Sequence, residues 1–266
     1  MQEPSFNREG FLCYNRGMKI IFPEMENTIA RQAIRHFHDI EFVPAPNLDV
    51  AVEMVKTADT MISGLEYSSR DVLIAYKNHL PLKSEYFSSC FICENGNRHF
   101  AIADGGVNKQ PNEEQLYTIV KDTAITYQTY YNEQPKIALL SYSTNGSGGK
   151  NPDTLKNQHV IERIRNDCPN WVIDGEMQLD AAIDQTISTI KFPNSQIKGQ
   201  ANVLITPDLN SGNILYKSLE QFGGFIVAGP IIQGFTMPLA DLSRGSNIND
   251  VILTIKVIKK LLEEEK

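Results

Sequence analysis

The amino-acid sequence predicts an α/β protein, a three-layer αβα arrangement with mainly parallel sheets. Three observations support this. Short runs rich in β-branched residues, such as KIIF (19–22), KIALLSYS (136–143) and FIVAGPII (225–232), alternate with stretches whose apolar residues recur at helical spacing. Polar, glycine-bearing segments follow several of the strand runs, where the loops of βα units belong. Across 266 residues, 41% hydrophobic and 21% charged residues are ordinary for a chain that buries a large core.

KIIF opens the series as a strand, and PEMENTIARQAIRHFH (23–38) reads as a helix with Ile29, Ala33, Ile34 and Phe37 on its apolar side. EFVPA (41–45) is a second strand, and Asn47 is placed to cap a helix through NLDVAVEMVKTA. DTMISG (59–64) is a third strand, followed by the helix SSRDVLIAYKNHL, capped by Ser68 or Ser69. Beyond Pro81 the strands SSCFICEN and HFAIADGG are joined by the turn residues 95–97. Next come a helix over 112–131, KIALLSYS, a helix from Asp153, WVIDG, and a helix through MQLDAAIDQTIST (177–189). ANVLITP, the helix NSGNILYKSLEQF and FIVAGPII lead to a last helix carrying Val251, Ile252, Ile255, Ile258, Leu261 and Leu262.

A net charge of −7 argues against general nucleic-acid binding, which needs a basic surface to neutralise phosphates. No run approaches bilayer length, and the opening MQEPSFNREGF lacks the basic-then-apolar pattern of a secretion signal. A cytoplasmic location is expected. Four scattered cysteines do not form a disulfide framework, and Cys90 and Cys93 read as buried strand residues. His36, His38, His79, His99 and His159 have no metal-ligand spacing, so no metal is expected. Dinucleotide, P-loop and serine-hydrolase motifs are all missing from the sequence.

Four polar loops follow strands: IADGGVN (102–108), SYSTNGSGG (141–149), ITPDLNSGN (205–213) and DLSRGSNIND (241–250). Each alone reads as turn and capping chemistry. Together they offer many donors to a shared anionic ligand. Ser143, Thr144, Asn145, Gly146 and Ser147 are candidates in the second loop, and Asp208, Asn210 and Asn213 in the third. In the fourth, Arg244 offers a planar fork for phosphate or carboxylate and Ser243 a hydroxyl donor. Asp250 fits either a helix cap or a general base, and capping is the stronger reading from spacing alone.

From about residue 57 onward, the segments IADGGVN, KIALLSYSTNGSG, VIDGEMQLDAAI, GQANVLITPDLNSGNILYK and AGPIIQGFTMPLADLSRGSNINDVI closely resemble phosphate acetyltransferases. DLSRG and DGEMQLDAA favour the acetyl branch over the related butyryltransferases. The resemblance implies two α/β lobes of isopropylmalate dehydrogenase-like type, one covering 1–84 plus 233–266 and the other 85–232, and a homodimer. It implies exchange of an acetyl group between CoA and inorganic phosphate, giving acetyl phosphate and CoA, with no permanently bound cofactor and no metal in the chemistry. Asp250 would then deprotonate the CoA thiol, Ser243 stabilise the transition state and Arg244 bind phosphate. The chain departs from the pattern at Ile74, where the family carries arginine, at Asn145, where it carries lysine, and in a shorter stretch between EFVPAP and NLDVAVEMV. Arg70, one helical turn before Ile74, is the candidate replacement. Two alternatives follow from these departures: a paralogue that binds CoA, acyl phosphate or a partner without turnover, or an acyltransferase for another short acyl group.

Overall fold

The structure, a computed structural model, describes residues 17–264 and two short antiparallel strands upstream, β1 (Ser5–Phe6) and β2 (Leu12–Cys13). Most of the polar opening segment lies outside the described residues. The chain then runs β3 (Met18–Ile21), α1 (Thr28–Ile34), β4 (Ile40–Val43), α2 (Leu48–Met54), β5 (Thr60–Ser63) and α3 (Ser69–His79). It continues through β6 (Ser88–Asn95), β7 (Arg98–Ala103), α4 (Glu113–Tyr131), β8 (Lys136–Leu140), α5 (Pro152–Asp167) and β9 (Val172–Met177). The remainder comprises α6 (Leu179–Ile183), α7 (Gln185–Lys191), β10 (Val203–Ile205), α8 (Leu209–Gln221), β11 (Ile226–Gln233), β12 (Leu239–Asp241) and α9 (Ile248–Glu264).

Ten strands form one continuous sheet in the order β4-β3-β5-β12-β11-β6-β7-β10-β8-β9. The first four are mutually parallel, as are the last four. Between them β12–β11, β11–β6 and β6–β7 are antiparallel. Three reversals leave the two parallel halves running in opposite directions. The carboxyl ends of β5 and β12 therefore approach those of β7 and β10 across the middle of the sheet.

Helices cover both faces. One face packs on α1, α4, α5 and α9 through a core including Ile20, Ile92, Val120, Ile164, Val203 and Ile255. The other face is split in two. Leu48, Val52, Val72 and Tyr76 of α2 and α3 pack on one half, and Ala181, Ala182 and Tyr216 of α6 and α8 on the other. A cleft between α3 and α8 results, over the antiparallel centre. Cys90 and Cys93 are fully buried and serve opposite faces of β6, and burial pushes both thiols up, away from reactive thiolate.

Asn47 and Ser68 cap α2 and α3 through the Val50 and Asp71 amides, and Asn112 forms a capping box with Gln115 at α4. Three expectations need correction. The helix expected over 23–38 is confined to Thr28–Ile34, because Asn27 caps it by accepting the Ile29 N–H. His36, Phe37 and His38 therefore follow the helix rather than ride on it. The helix expected over 177–189 breaks at Asp184, whose side chain accepts the Ile187 N–H and starts α7. Strand β12, three residues long, has no periodic signal of its own, since its pairing with β5 and β11 is set by neighbours distant in sequence. Among the described residues, no helix is long and apolar enough to cross a membrane.

Candidate active site

The central cleft encloses a cavity of about 360 Å³, within the size range of small-molecule sites. Its walls come from Gly64 and Ser69 beside α3, Phe91 and Pro230 of β6 and β11, and the Gly105–Gly106 turn after β7. Asn213, Tyr216 and Lys217 of α8 form the opposite wall, and Asp241 to Arg244 close the end of β12.

The Gly105 turn is shaped by Asp104, which is 2% exposed. Its carboxylate accepts N–H groups from Gly106, Val107 and Asn108 and the Ser89 hydroxyl, so it folds the loop and has nothing left for a ligand. Helix α8 then docks at backbone contact. A Cβ on Gly212 would lie 2.3 Å from the Asp104 carbonyl oxygen, and one on Gly105 would strike the Phe91 ring at 2.9 Å. These two glycines let α8 deliver Tyr216 onto Phe91, rings stacked at 3.8 Å, and Lys217 to the cavity rim.

The predicted residues divide clearly. Ser243, Arg244 and Asn213 line the cavity, with Arg244 exposed and the Asn213 amide donating to the Gly105 carbonyl. Asp208 is instead the cap of α8, accepting the Ser211 N–H at 2.8 Å, and Asn210 is exposed on the first turn. The 143–147 loop is not among the lining residues. Its donors turn inward: the Ser143 hydroxyl and Gly146 N–H go to the Glu176 carboxylate at 2.7 and 3.1 Å, and Thr144 N–H to the Ser147 hydroxyl. Asn145 N–H donates to the Glu176 carbonyl. Arg70 is exposed on α3 outside the cavity wall, and Ile74 is 46% exposed on the same helix.

Asp250 is 1% exposed. One carboxylate oxygen accepts the Val227 N–H at 3.0 Å and the other the Asn247 N–H at 2.8 Å, while Asn247 Oδ1 accepts the Asp250 N–H in return. This is a capping box that also docks α9 on β11, where the register shifts between Ala228 and Ile231. One turn on, the Thr254 hydroxyl accepts the Gly229 N–H. Burial raises the Asp250 pKa, against these two backbone hydrogen bonds.

Sequence reasoning missed Lys217 and Asp241, although both lie in the quoted motif segments. Asp241 is completely buried at the cavity floor, and neither carboxylate oxygen has a hydrogen-bond partner among the described residues. Burial raises its pKa to about 7, with the Glu24 charge adding to the rise. The nearby Ser69 hydroxyl opposes the shift without a hydrogen bond of normal geometry. An acid raised this way binds its proton more tightly in the folded chain. It therefore removes stability as pH climbs from about 4, where the unfolded carboxyl ionises, to about 7. Asp241→Asn is expected to be about 1–3 kcal/mol more stable than wild type at pH 8, the gap closing toward pH 4. Denaturant unfolding at the two pH values measures this.

The strand ends of this α/β sheet gather an arginine, a lysine, a hydroxyl and a buried carboxylate over one cavity, the donors and positive charge that a small anion would use. A family model described as phosphate acetyl/butaryl transferase matches residues 39–258, and the chain belongs to that family. It is 38% identical over 208 residues to the phosphate acetyltransferase of Clostridium acetobutylicum, covering 75% of this chain and 62% of that protein. It is 36% identical over 196 residues to that of Bacillus subtilis, covering 73% and 60%. The matches thus span about three fifths of those relatives' length. Among solved structures, a phosphotransacetylase from Streptococcus pyogenes superposes with a TM-score of 0.82 at 27% identity, covering 93% of this chain and 94% of that one.

Proposed function

We propose that this protein is a phosphate acetyltransferase, exchanging an acetyl group between CoA and inorganic phosphate. The observation that carries the reading is the convergence of Arg244, Ser243 and Lys217 on one cavity, within segments that resemble the family's substrate loops. Arg244 and Lys217 supply positive charge for the phosphate, a planar fork and a point charge respectively. The Ser243 hydroxyl is free to donate to the acyl oxygen as negative charge develops there, since its own oxygen accepts the Gly245 N–H at 3.2 Å. The resemblance implies direct transfer between thiol and phosphate without an acyl-enzyme. CoA enters as a substrate, and no metal takes part. The resemblance assigns the thiol proton to Asp250.

The β12–β11 junction supports a division into lobes of 1–84 with 233–266 and of 85–232, and a cytoplasmic homodimer completes the reading. Ile74 in place of a substrate arginine supports a second reading, a paralogue that binds CoA or acyl phosphate without turnover. Purified protein supplied with acetyl phosphate and CoA is expected to form acetyl-CoA, followed by thioester absorbance. No product above the enzyme-free rate at high protein concentration, with CoA binding retained, would select the paralogue.

A further inference from the structure

We propose that Glu24 and Asp241 are a positioning pair that holds one proton between two buried carboxyl groups and so ties the loop carrying Ser243 and Arg244 to the loop after β5. The inference rests on the acyl-transfer reading above only for its kinetic consequence. Of the five buried side-chain atoms without a hydrogen-bond partner among the described residues, four gather here: Glu24 Oε2, Ser63 Oγ and both oxygens of Asp241. Ser63 and Asp241 are register partners in the β5–β12 pairing. Gly64 joins the two acids. Its N–H donates to Glu24 Oε1 at 3.0 Å, and a Cβ on it would lie 2.5 Å from Asp241 Oδ1.

Glu24 is 5% exposed and Asp241 fully buried, so water screens neither charge. Two neighbouring carboxyls in such a site do not both ionise, and each oxygen left unpaired costs about 1–3 kcal/mol. Burial first, and then the Glu24 charge, lift the Asp241 acid to about 7. A proton on Asp241 turns an orphan acceptor into a donor for Glu24 Oε2, which satisfies one atom of each acid. Glu24 Oε1 stays on the N–H groups of Gly64, Glu66 and Tyr67. The other ionisable groups around the pair are Tyr67 beside Glu24, Tyr76 of α3, Tyr216 and Lys217 of α8, and Arg244 of the Asp241 loop. The Ser69 hydroxyl at the start of α3 favours the ionised form of Asp241.

Both loops reach the cavity. Gly64, Tyr67 and Ser69 line it on the β5 side, and Ser243 and Arg244 line it just after Asp241. The backbone already links the loops, since the Leu242 N–H donates to the Ser63 carbonyl. The shared proton adds a side-chain tie, and its loss leaves two buried negative charges that push the loops apart. Neither acid touches substrate: the pair acts through the placement of Ser243 and Arg244. The sense of the pH effect distinguishes this role from a general base. A base loses activity on the acid side as it takes up a proton. This pair loses its tie on the alkaline side, as pH rises through about 7.

Infrared difference spectra of wild type against Asp241→Asn and Glu24→Gln, each checked for folding by circular dichroism, test the pair directly. The C=O band of a buried carboxylic acid is expected in wild type at about pH 6 and not at about pH 9, and in neither variant at about pH 6. No band in wild type, or a band that persists in Glu24→Gln, overturns the shared proton. Kinetics then test the positioning. Wild-type kcat/KM for acetyl phosphate is expected to fall on the alkaline side with a midpoint near 7. Glu24→Ala is expected to lower it by about 10–100-fold at pH near 6, mainly through KM. Glu24→Gln puts an amide donor where the proton stood and keeps an oxygen for the three N–H groups. It is expected to recover to within about 3-fold of wild type and to lose the alkaline fall. An active wild type without that fall, or a Glu24→Gln enzyme no better than Glu24→Ala, overturns the positioning role. A folded wild type that shows the band and forms no acetyl-CoA overturns the acyl-transfer reading and leaves the pair standing.

Discussion

Arg244→Gln is expected to lower kcat/KM for acetyl phosphate by about 10²–10³-fold while leaving the fold intact. The side chain is exposed at the cavity rim, on the loop that follows β12, so its removal strands no buried partner. On the proposed function it would lose a planar donor pair toward phosphate oxygens. A hydrogen bond to a charged group contributes about 1.5–3 kcal/mol, and a bidentate pair roughly 3–4 kcal/mol, which corresponds to that rate factor. Arg244→Lys is expected to recover only part, because a point charge replaces a fork. Steady-state kinetics with varied acetyl phosphate separates the two, and Lys217→Gln serves as the comparison at the opposite rim. An Arg244→Gln enzyme within 3-fold of wild type would remove Arg244 from the phosphate site.

Asp250→Ala is expected to cost about 3–5 kcal/mol of folding stability, a large share of the roughly 5–15 kcal/mol that holds such a chain together. The reason is local. Truncation leaves the Val227 and Asn247 N–H groups without the carboxylate that each now uses, one at a buried bulge and one at a helix start. For a domain above 200 residues this corresponds to a melting temperature lower by about 6–15 °C, measured by calorimetry. Thr254 remains on Gly229 and keeps α9 partly docked. Unchanged melting with abolished turnover would be the opposite result, and would mark Asp250 as the proton acceptor rather than the anchor of α9.

Much of the architecture is legible along the chain. Strand runs at KIIF, DTMISG, KIALL and FIVAG, and caps at Asn47 and Ser68, depend on period and on contacts within four residues. The structure departs from the local pattern where distant residues intervene. The three-residue strand β12 exists because β5 and β11 lie on either side of it. Residues 23–27 are drawn out of a helix as Glu24 reaches across to the Gly64–Tyr67 amides, 40 residues or more away. In the site, Arg244 and Ser243 were readable from residue type and motif. Asp241 was not, because nothing in the letter distinguishes a satisfied aspartate from an unpaired one.

The order of apolar periods by itself specified the α/β class and the alternation of helix and strand, while the family is carried by the motif segments. Those features are local, or are written as contiguous residues. The sense of the two half-sheets, the cleft between α3 and α8, and the contrast between two aspartates nine residues apart arose only on folding. Three antiparallel pairings turn the strand ends toward each other, and burial then leaves Asp241 without a partner of normal geometry among the described residues while giving Asp250 two backbone donors. Partnering and dielectric are properties of the packed chain, and they distinguish an aspartate held by two backbone donors from one without a partner among the described residues.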